Sequence, residues 1–347
     1  MVATKPQAVL DRAQHFLSEH VEPHAHRIDR EPAALQRALA GLREQKLMAL
    51  RRPVEFGGPG LSDADYRRFQ VMVARRSGAL AFLQQQHQSA VRMIAAGHND
   101  ALKHSALPVM DAERVMGIGY SQLRRPGPPM LRATPRDDGG FLIDGTIPWV
   151  TGVGFYPEVL LGAELPDGRA LFGIAPLSDQ QRADGRITIG PPMKLAALEV
   201  ACTCEVTLEA WPIEDAQVAR IEPPGWMAAR DAQGVAGKSW LILGCGRGAA
   251  DVLARKAPDA GAAMHALLDD ARDRLVAAEA EPLAIQAEAR ADVVALAGRA
   301  AHAAVSAAGG AANVATHDAQ RVYREVLMFT VLGQTEAVRE ATIGRLV

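Results

Sequence analysis

Apolar residues recur at helical spacing near both ends of the chain and in short, turn-bounded runs in the middle. Val9, Leu10 and Phe16 make one stripe, and Leu35, Leu39, Leu42 and Leu47 make a second, which predicts helices across residues 7–50. Pro32 suits the first turn of the second helix. The run Arg52-Pro53-Val54-Glu55-Phe56-Gly57-Gly58-Pro59-Gly60-Leu61-Ser62 is a loop, because its Gly and Pro residues fit neither helix nor strand interiors. Ser62 is placed to cap a helix beginning near Asp63, and helices continue to about Ala112. From Val115 onward the pattern changes to short apolar runs at 141–145, 159–162, 170–175 and 202–208, separated by Gly-, Pro- and Asp-rich turns. That spacing predicts an antiparallel barrel or sandwich over roughly 115–220.

After Gly225 the chain becomes helical and Ala-rich. Leu267, Ala271, Leu275 and Ala278 share a face, and alanine favours helix throughout 285–308, as in a helical bundle. Gly309-Gly310 ends this helix, since positive φ is easiest for glycine. Val322, Val326 and Phe329 mark another helix, which Gly333 breaks. Thr335 is placed to cap a last helix, with Glu336 well placed against its N-terminal dipole. The expected organisation is mostly α with a β domain: helices in 1–114, strands in 115–222 and a helical bundle in 223–347.

The 347 residues are 48% hydrophobic, enough for large cores in two or three domains. A net charge of −2 gives no general case for nucleic acid or an anionic membrane surface. No stretch is apolar enough to span a bilayer and the start lacks an apolar signal region, so a cytoplasmic setting is expected. Cys202, Cys204 and Cys245 make neither a disulfide framework nor a zinc site. Cys202 and Cys204 are too close for an ordinary structural bridge and read as packing residues.

Several motifs compete for a chemical role. Trp240 through Gly248 looks like a strand and glycine loop for S-adenosylmethionine. However, the usual acidic residue is missing and no alternating β/α pattern follows. The reading adopted is a helix whose Gly244 and Gly248 permit close packing. His24 and His26 read as solvated, and His302 as structural. His87, within Gln84-Gln85-Gln86-His87-Gln88-Ser89, is a weak candidate base, since imidazole titrates near neutral pH.

Taken in order, these elements resemble the acyl-CoA dehydrogenase family. The resemblance rests on Gly309-Gly310, Arg324-Glu325 and Gly333-Gln334-Thr335, spaced as the family's Gly-Gly turn, Arg-Asp pair and Glu-Gly-Thr. It extends to the loop from Pro53 to Ser62, to Trp149-Val150-Thr151-Gly152 and to the strands from Met193 through Ile213. It implies an N-terminal helical domain, a middle antiparallel β-barrel, a C-terminal four-helix bundle, and a homodimer or homotetramer. Trp149, Val150 and Thr151 then lie against a flavin ring, with Gly309, Gly310, Gln334 and Thr335 as further contacts. Ser121 and Gln122 occupy the place of the family's flavin-facing strand.

The same resemblance exposes departures. The family's catalytic Glu falls on Gly333, and its second known base position falls close to Lys238. The Arg-x-x-Phe-Gly segment that reaches a neighbouring subunit's dinucleotide is replaced by residues 256–266. The implied cofactor is FAD, with FMN or no flavin as alternatives. The leading expectation is an oxidoreductase of CH–CH donors in an acyl thioester such as an acyl-CoA, with an electron-transfer flavoprotein as a possible partner. A flavin monooxygenase of the same fold and a catalytically silent subunit are the alternatives.

Overall fold

A computed structural model describes residues 6–235, 237 and 239–347. The N-terminal helices are α1 (Pro6–Phe16), α2 (Ala25–Ile28), α3 (Pro32–Glu44), α4 (Asp63–Arg76), α5 (Gly78–Ala95) and α6 (Asp100–Ala106). Ser62 caps α4 as expected, its Oγ accepting from Asp65 N at 3.1 Å. Ser77 caps α5 in the same way through Leu80 N. Helix α5 is buried along most of its length, because Leu80, Leu83, Val91 and Ile94 meet other elements on several sides.

The middle unit holds β1 (Met116–Gly119), β2 (Leu131–Pro135), β3 (Phe141–Thr151), β4 (Glu158–Glu164), β5 (Ala170–Pro176), β6 (Gln180–Arg182), β7 (Gly185–Ile189), β8 (Thr203–Ile213) and β9 (Val218–Glu222). They form one sheet in the order β6-β7-β8-β3-β2-β4-β5-β9, with β1 beside β4. Most pairings are antiparallel, but β1 and β2 each run parallel to β4, so the sheet is mixed. Parallel neighbours need intervening chain rather than a tight hairpin, and here the turns and strands between 120 and 157 supply it. The strands carry Ile143, Ile147, Val150, Leu161 and Trp211 into the core.

The C-terminal helices are α7 (Trp226–Gln233), α8 (Trp240–Ala254), α9 (Pro258–Ala277), α10 (Leu283–Ala308), α11 (Asp318–Val331) and α12 (Glu336–Leu346). Trp240–Ala254 is therefore a helix, not a strand and cofactor loop. A Cβ on Gly248 would lie 2.5 Å from Arg75 O, and one on Gly244 would lie 2.6 Å from Ala74 Cβ. These glycines let α8 press against α4, as their spacing implied.

A buried ionic network ties α11 to the N-terminal helices. Arg321 Nη1 donates to both Glu325 oxygens at 2.9 and 3.1 Å, and Gly78 N donates to the same carboxylate at 2.9 Å. Arg324 reaches Asp29, at the end of α2, at 2.5 Å. Arg324 and Glu325, adjacent in sequence, thus serve different partners. Burial opposes the charge on both: Glu325 and Asp318 nevertheless hold the Arg321 pKa above the usual arginine value, whereas burial raises the Glu325 carboxyl against the pull of Arg321.

Candidate active site

Strand β3 ends in the segment expected to face a flavin. Its pairing with β8 shifts register between Ile147 and Val150, and such a bulge re-aims the side chains beside it. Trp149 emerges 46% exposed, whereas Val150 points into the core. Thr151 is largely buried, and its hydroxyl lies 2.9 Å from that of Thr203. Gly152 follows at φ 96°, and a Cβ there would meet the Tyr156 ring at 2.6 Å, so the turn requires glycine.

Behind this turn stands His87. Met116 N donates to its Nδ1 at 3.1 Å, so Nε2 carries the proton and donates to Met110 O at 2.6 Å. The ring also stacks against Tyr156 at 6.4 Å, and the Tyr156 hydroxyl donates to Leu83 O. Both nitrogens are engaged with backbone, so His87 joins α5 to β1 and is not free to take a substrate proton. A single histidine in sequence does not reveal these backbone partners.

Burial pushes the His87 pKa down to about 4, although its backbone hydrogen bonds pull the other way. The unfolded value is about 6.5, so the unfolded chain binds the proton first. Stability from this group is therefore complete above pH about 6.5 and falls as pH drops toward 4, by roughly 3 kcal/mol in all. Denaturant titrations at successive pH values should show that slope, and His87→Gln should flatten it. An unchanged slope in the variant would remove His87 as its source.

Ser121 and Gln122 lie in a helical turn after β1 that packs on β3 and β4. The turn thus packs against β3, the strand that ends in Trp149 and Thr151. Ser121 is exposed. Gln122 is buried, with Nε2 donating to Gly162 O at 2.6 Å and Oε1 lacking a partner.

Gly309 and Gly310 are exposed and pack with α10 and α11, away from the contacts that define the β3 face. The neighbouring residues Ala308 and Thr316–Asp318 line a cleft of about 890 Å³ between α2 and the C-terminal helices. Arg27, Arg30, Arg255 and Lys256 also line it, opposed by Glu31 and Asp318. Within one chain, the two sets of expected flavin contacts are therefore separate surfaces.

The turn between α11 and α12 holds the remaining positions. Gly333 has φ 59°, Gln334 is exposed, and Thr335 caps α12 by accepting from Val338 N at 3.4 Å. Arg290, fully buried on α10, donates from Nη2 to Leu332 O and so caps the end of α11. Its Nε and Nη1 have no partner, and burial pushes its pKa down to about 10. The sequence reading missed this residue. The signal was an arginine with Ala287, Val293 and Val294 one turn away on the same helix face. Lys238 lies outside the described residues. Among those described, no His, Cys, Asp or Glu group forms a metal site, and no helix is long and apolar enough to cross a membrane.

Comparison with known proteins identifies the class. Residues 4–113 match the family model described as acyl-CoA dehydrogenase, N-terminal domain. A probable acyl-CoA dehydrogenase from Mycobacterium abscessus shares the fold across 100% of both chains, with TM-score 0.80 and 16% identity. Butyryl-CoA dehydrogenase from Megasphaera elsdenii matches 98% of this chain and 97% of its own, with TM-score 0.79 and 16% identity. KijD3, solved with FMN and a dTDP-linked amino-keto sugar, matches 100% of this chain and 93% of its own, with TM-score 0.77 and 18% identity. No curated protein sequence matches. Residues 4–113 match that N-terminal domain, and the chain as a whole has the fold of the acyl-CoA dehydrogenases.

Proposed function

We propose that the protein is a flavin-dependent oxidoreductase acting on an acyl thioester, with the usual catalytic carboxylate replaced by Gly333. The observation that carries this reading is the bulged end of β3, where an exposed Trp149 stands beside Thr151 at the place the family uses for a flavin ring. Flavin, when bound, supplies an acceptor for an electron pair.

The residues present fit such a group. The indole offers a flat apolar surface, and the Thr151 hydroxyl can still exchange hydrogen bonds while it contacts Thr203. Gly309 and Gly310 leave open space where a side chain would stand. The adjoining cleft has arginines suited to phosphate oxygens. FAD uses both surfaces only if a second subunit brings its cleft to the β3 face, whereas FMN is short enough to use one. Trp149→Ala should release flavin on gel filtration under conditions where the unmodified protein retains it. Equal retention would remove Trp149 from the site.

A second copy is the expected partner. Tyr323, Leu327 and Val331 are 44%, 48% and 52% exposed, and their spacing forms an apolar stripe along α11. Sedimentation at micromolar concentration should give a dimer or tetramer. A species of 37.0 kDa alone would contradict this. An electron-transfer flavoprotein is the proposed redox partner of the dehydrogenase reading.

A flavin monooxygenase is the second reading. It is favoured by Gly333, which offers no side chain to remove an α proton, and by the engagement of both His87 nitrogens. Oxygen consumption dependent on added reduced flavin separates it from a dehydrogenase. A silent subunit would show neither flavin reduction by substrate nor oxygen uptake.

A further inference from the structure

Cys202 and Cys204 have a geometry that packing alone does not require. In a regular strand, residues two apart share a face with Cα atoms about 6.6 Å apart, at the far limit of disulfide geometry. Cys202 departs from strand conformation, at φ 50° and ψ 84°, a left-handed backbone rarely adopted by a residue with a side chain. The bend folds its side chain toward Cys204, and the two Sγ atoms lie 3.9 Å apart. Leu198, four residues earlier, is also left-handed, so the approach to β8 is a compact irregular turn. Cys202 is half-buried and Cys204 is buried.

We propose that Cys202 and Cys204 form a dithiol site for reversible two-electron oxidation by small hydroperoxides. The exposed order sets the chemistry. Cys202, as thiolate, attacks one peroxide oxygen and breaks the O–O bond, leaving a sulfenic acid and releasing water or an alcohol. Cys204 then attacks the sulfenic sulfur, and water leaves as the S–S bond forms. The dithiol loses two electrons and two protons, and the peroxide is reduced to two hydroxyl-bearing products.

Burial, together with the neighbouring Cys202, pushes the Cys204 thiol up to about 12, which suits it to resolve a sulfenic acid rather than to attack first. Closing from 3.9 Å to a bond of about 2.05 Å asks the bend at Cys202 to tighten. Such a short, bent bridge is readily reduced.

The bend is connected to β3. Cys202 O accepts from Gly152 N at 3.1 Å and from Val153 N at 3.2 Å, and Thr203 contacts Thr151. Bridge formation therefore pulls on the turn that follows Trp149. Cys245 provides an internal control, since it is buried on α8 with its Sγ facing Ala74 O at 3.6 Å. The site does not depend on flavin binding.

The test uses the full chain, fully reduced, with stepwise hydrogen peroxide and peptide mass analysis. The expected result is joint loss of the Cys202 and Cys204 thiols while Cys245 survives, with their peptide lighter by two hydrogens and restored by dithiothreitol. Cys204→Ser should stop at a dimedone-trapped sulfenic acid on Cys202, and Cys202→Ser should leave Cys204 unreacted at the same dose. The oxidised protein should also change its tryptophan emission, a change lost in Trp149→Phe. Addition of oxygen without hydrogen loss, oxidation of Cys245 before the pair, or survival of the pair at doses that oxidise exposed methionines would each overturn the proposal.

Discussion

Gly333→Glu is expected to raise the rate at which a saturated acyl-CoA reduces bound flavin by roughly 10²–10⁴-fold, the usual contribution of a positioned general base. The substitution restores a carboxylate at the family's base position, where the unmodified chain has only a hydrogen. The backbone limits the gain. At φ 59°, Gly333 is left-handed, and a side chain there costs about 1–2 kcal/mol. Arg290 holds Leu332 O from behind, so the added side chain leaves from a fixed turn. Gly333→Ala separates the two effects, because it carries the backbone cost without a carboxylate. Anaerobic bleaching by a panel of acyl-CoAs should be slow in the unmodified protein, slow in the Ala variant and faster in the Glu variant. Bleaching of the unmodified protein at rates typical of enzymes, roughly 1–1000 per second, would reveal another base and end the reading of Gly333 as a lost function.

Glu325→Ala is expected to cost about 3 kcal/mol of stability, because it leaves the buried Arg321 charge with only the longer 3.5 Å contact to Asp318. Both side chains are nearly inaccessible, at 6% and 1% exposure. Gly78 N would also lose its acceptor at the start of α5, where the N-terminal helices meet α11. Denaturant unfolding followed by circular dichroism measures the loss. Glu31→Ala, which breaks the exposed Arg27–Glu31 pair, should leave the midpoint where it is. Equal effects of the two substitutions would show that the buried pair is not a staple between the helical units.

Local chemistry made much of the fold legible. The Leu stripes, Ser62 and the glycines at 244 and 248 act through near neighbours or helix periodicity, and they appear in the structure as capped or closely packed helices. What was hidden depends on distant partners. His87 is engaged by Met110 and Met116, Arg324 by Asp29, and β1 lies parallel to β4 across intervening strands. Arg290 was hidden for a different reason: among Glu288, Asp292 and Arg299 in an Ala-rich helix it reads as another solvated charge until Leu332 O is found beside it. The family spacing brought Trp149 and Gly309 into one expected site. The chain alone holds them on separate surfaces, since spacing along a sequence carries no information on which subunit supplies a contact.

The most direct measurement is a titration of the purified chain with FAD and with FMN, followed by the visible absorption spectrum after removal of free cofactor. The account predicts a retained yellow flavin with a spectrum perturbed from that in water, and loss of retention in Trp149→Ala. A folded protein that retains neither flavin under any reconstitution condition would contradict the central claim.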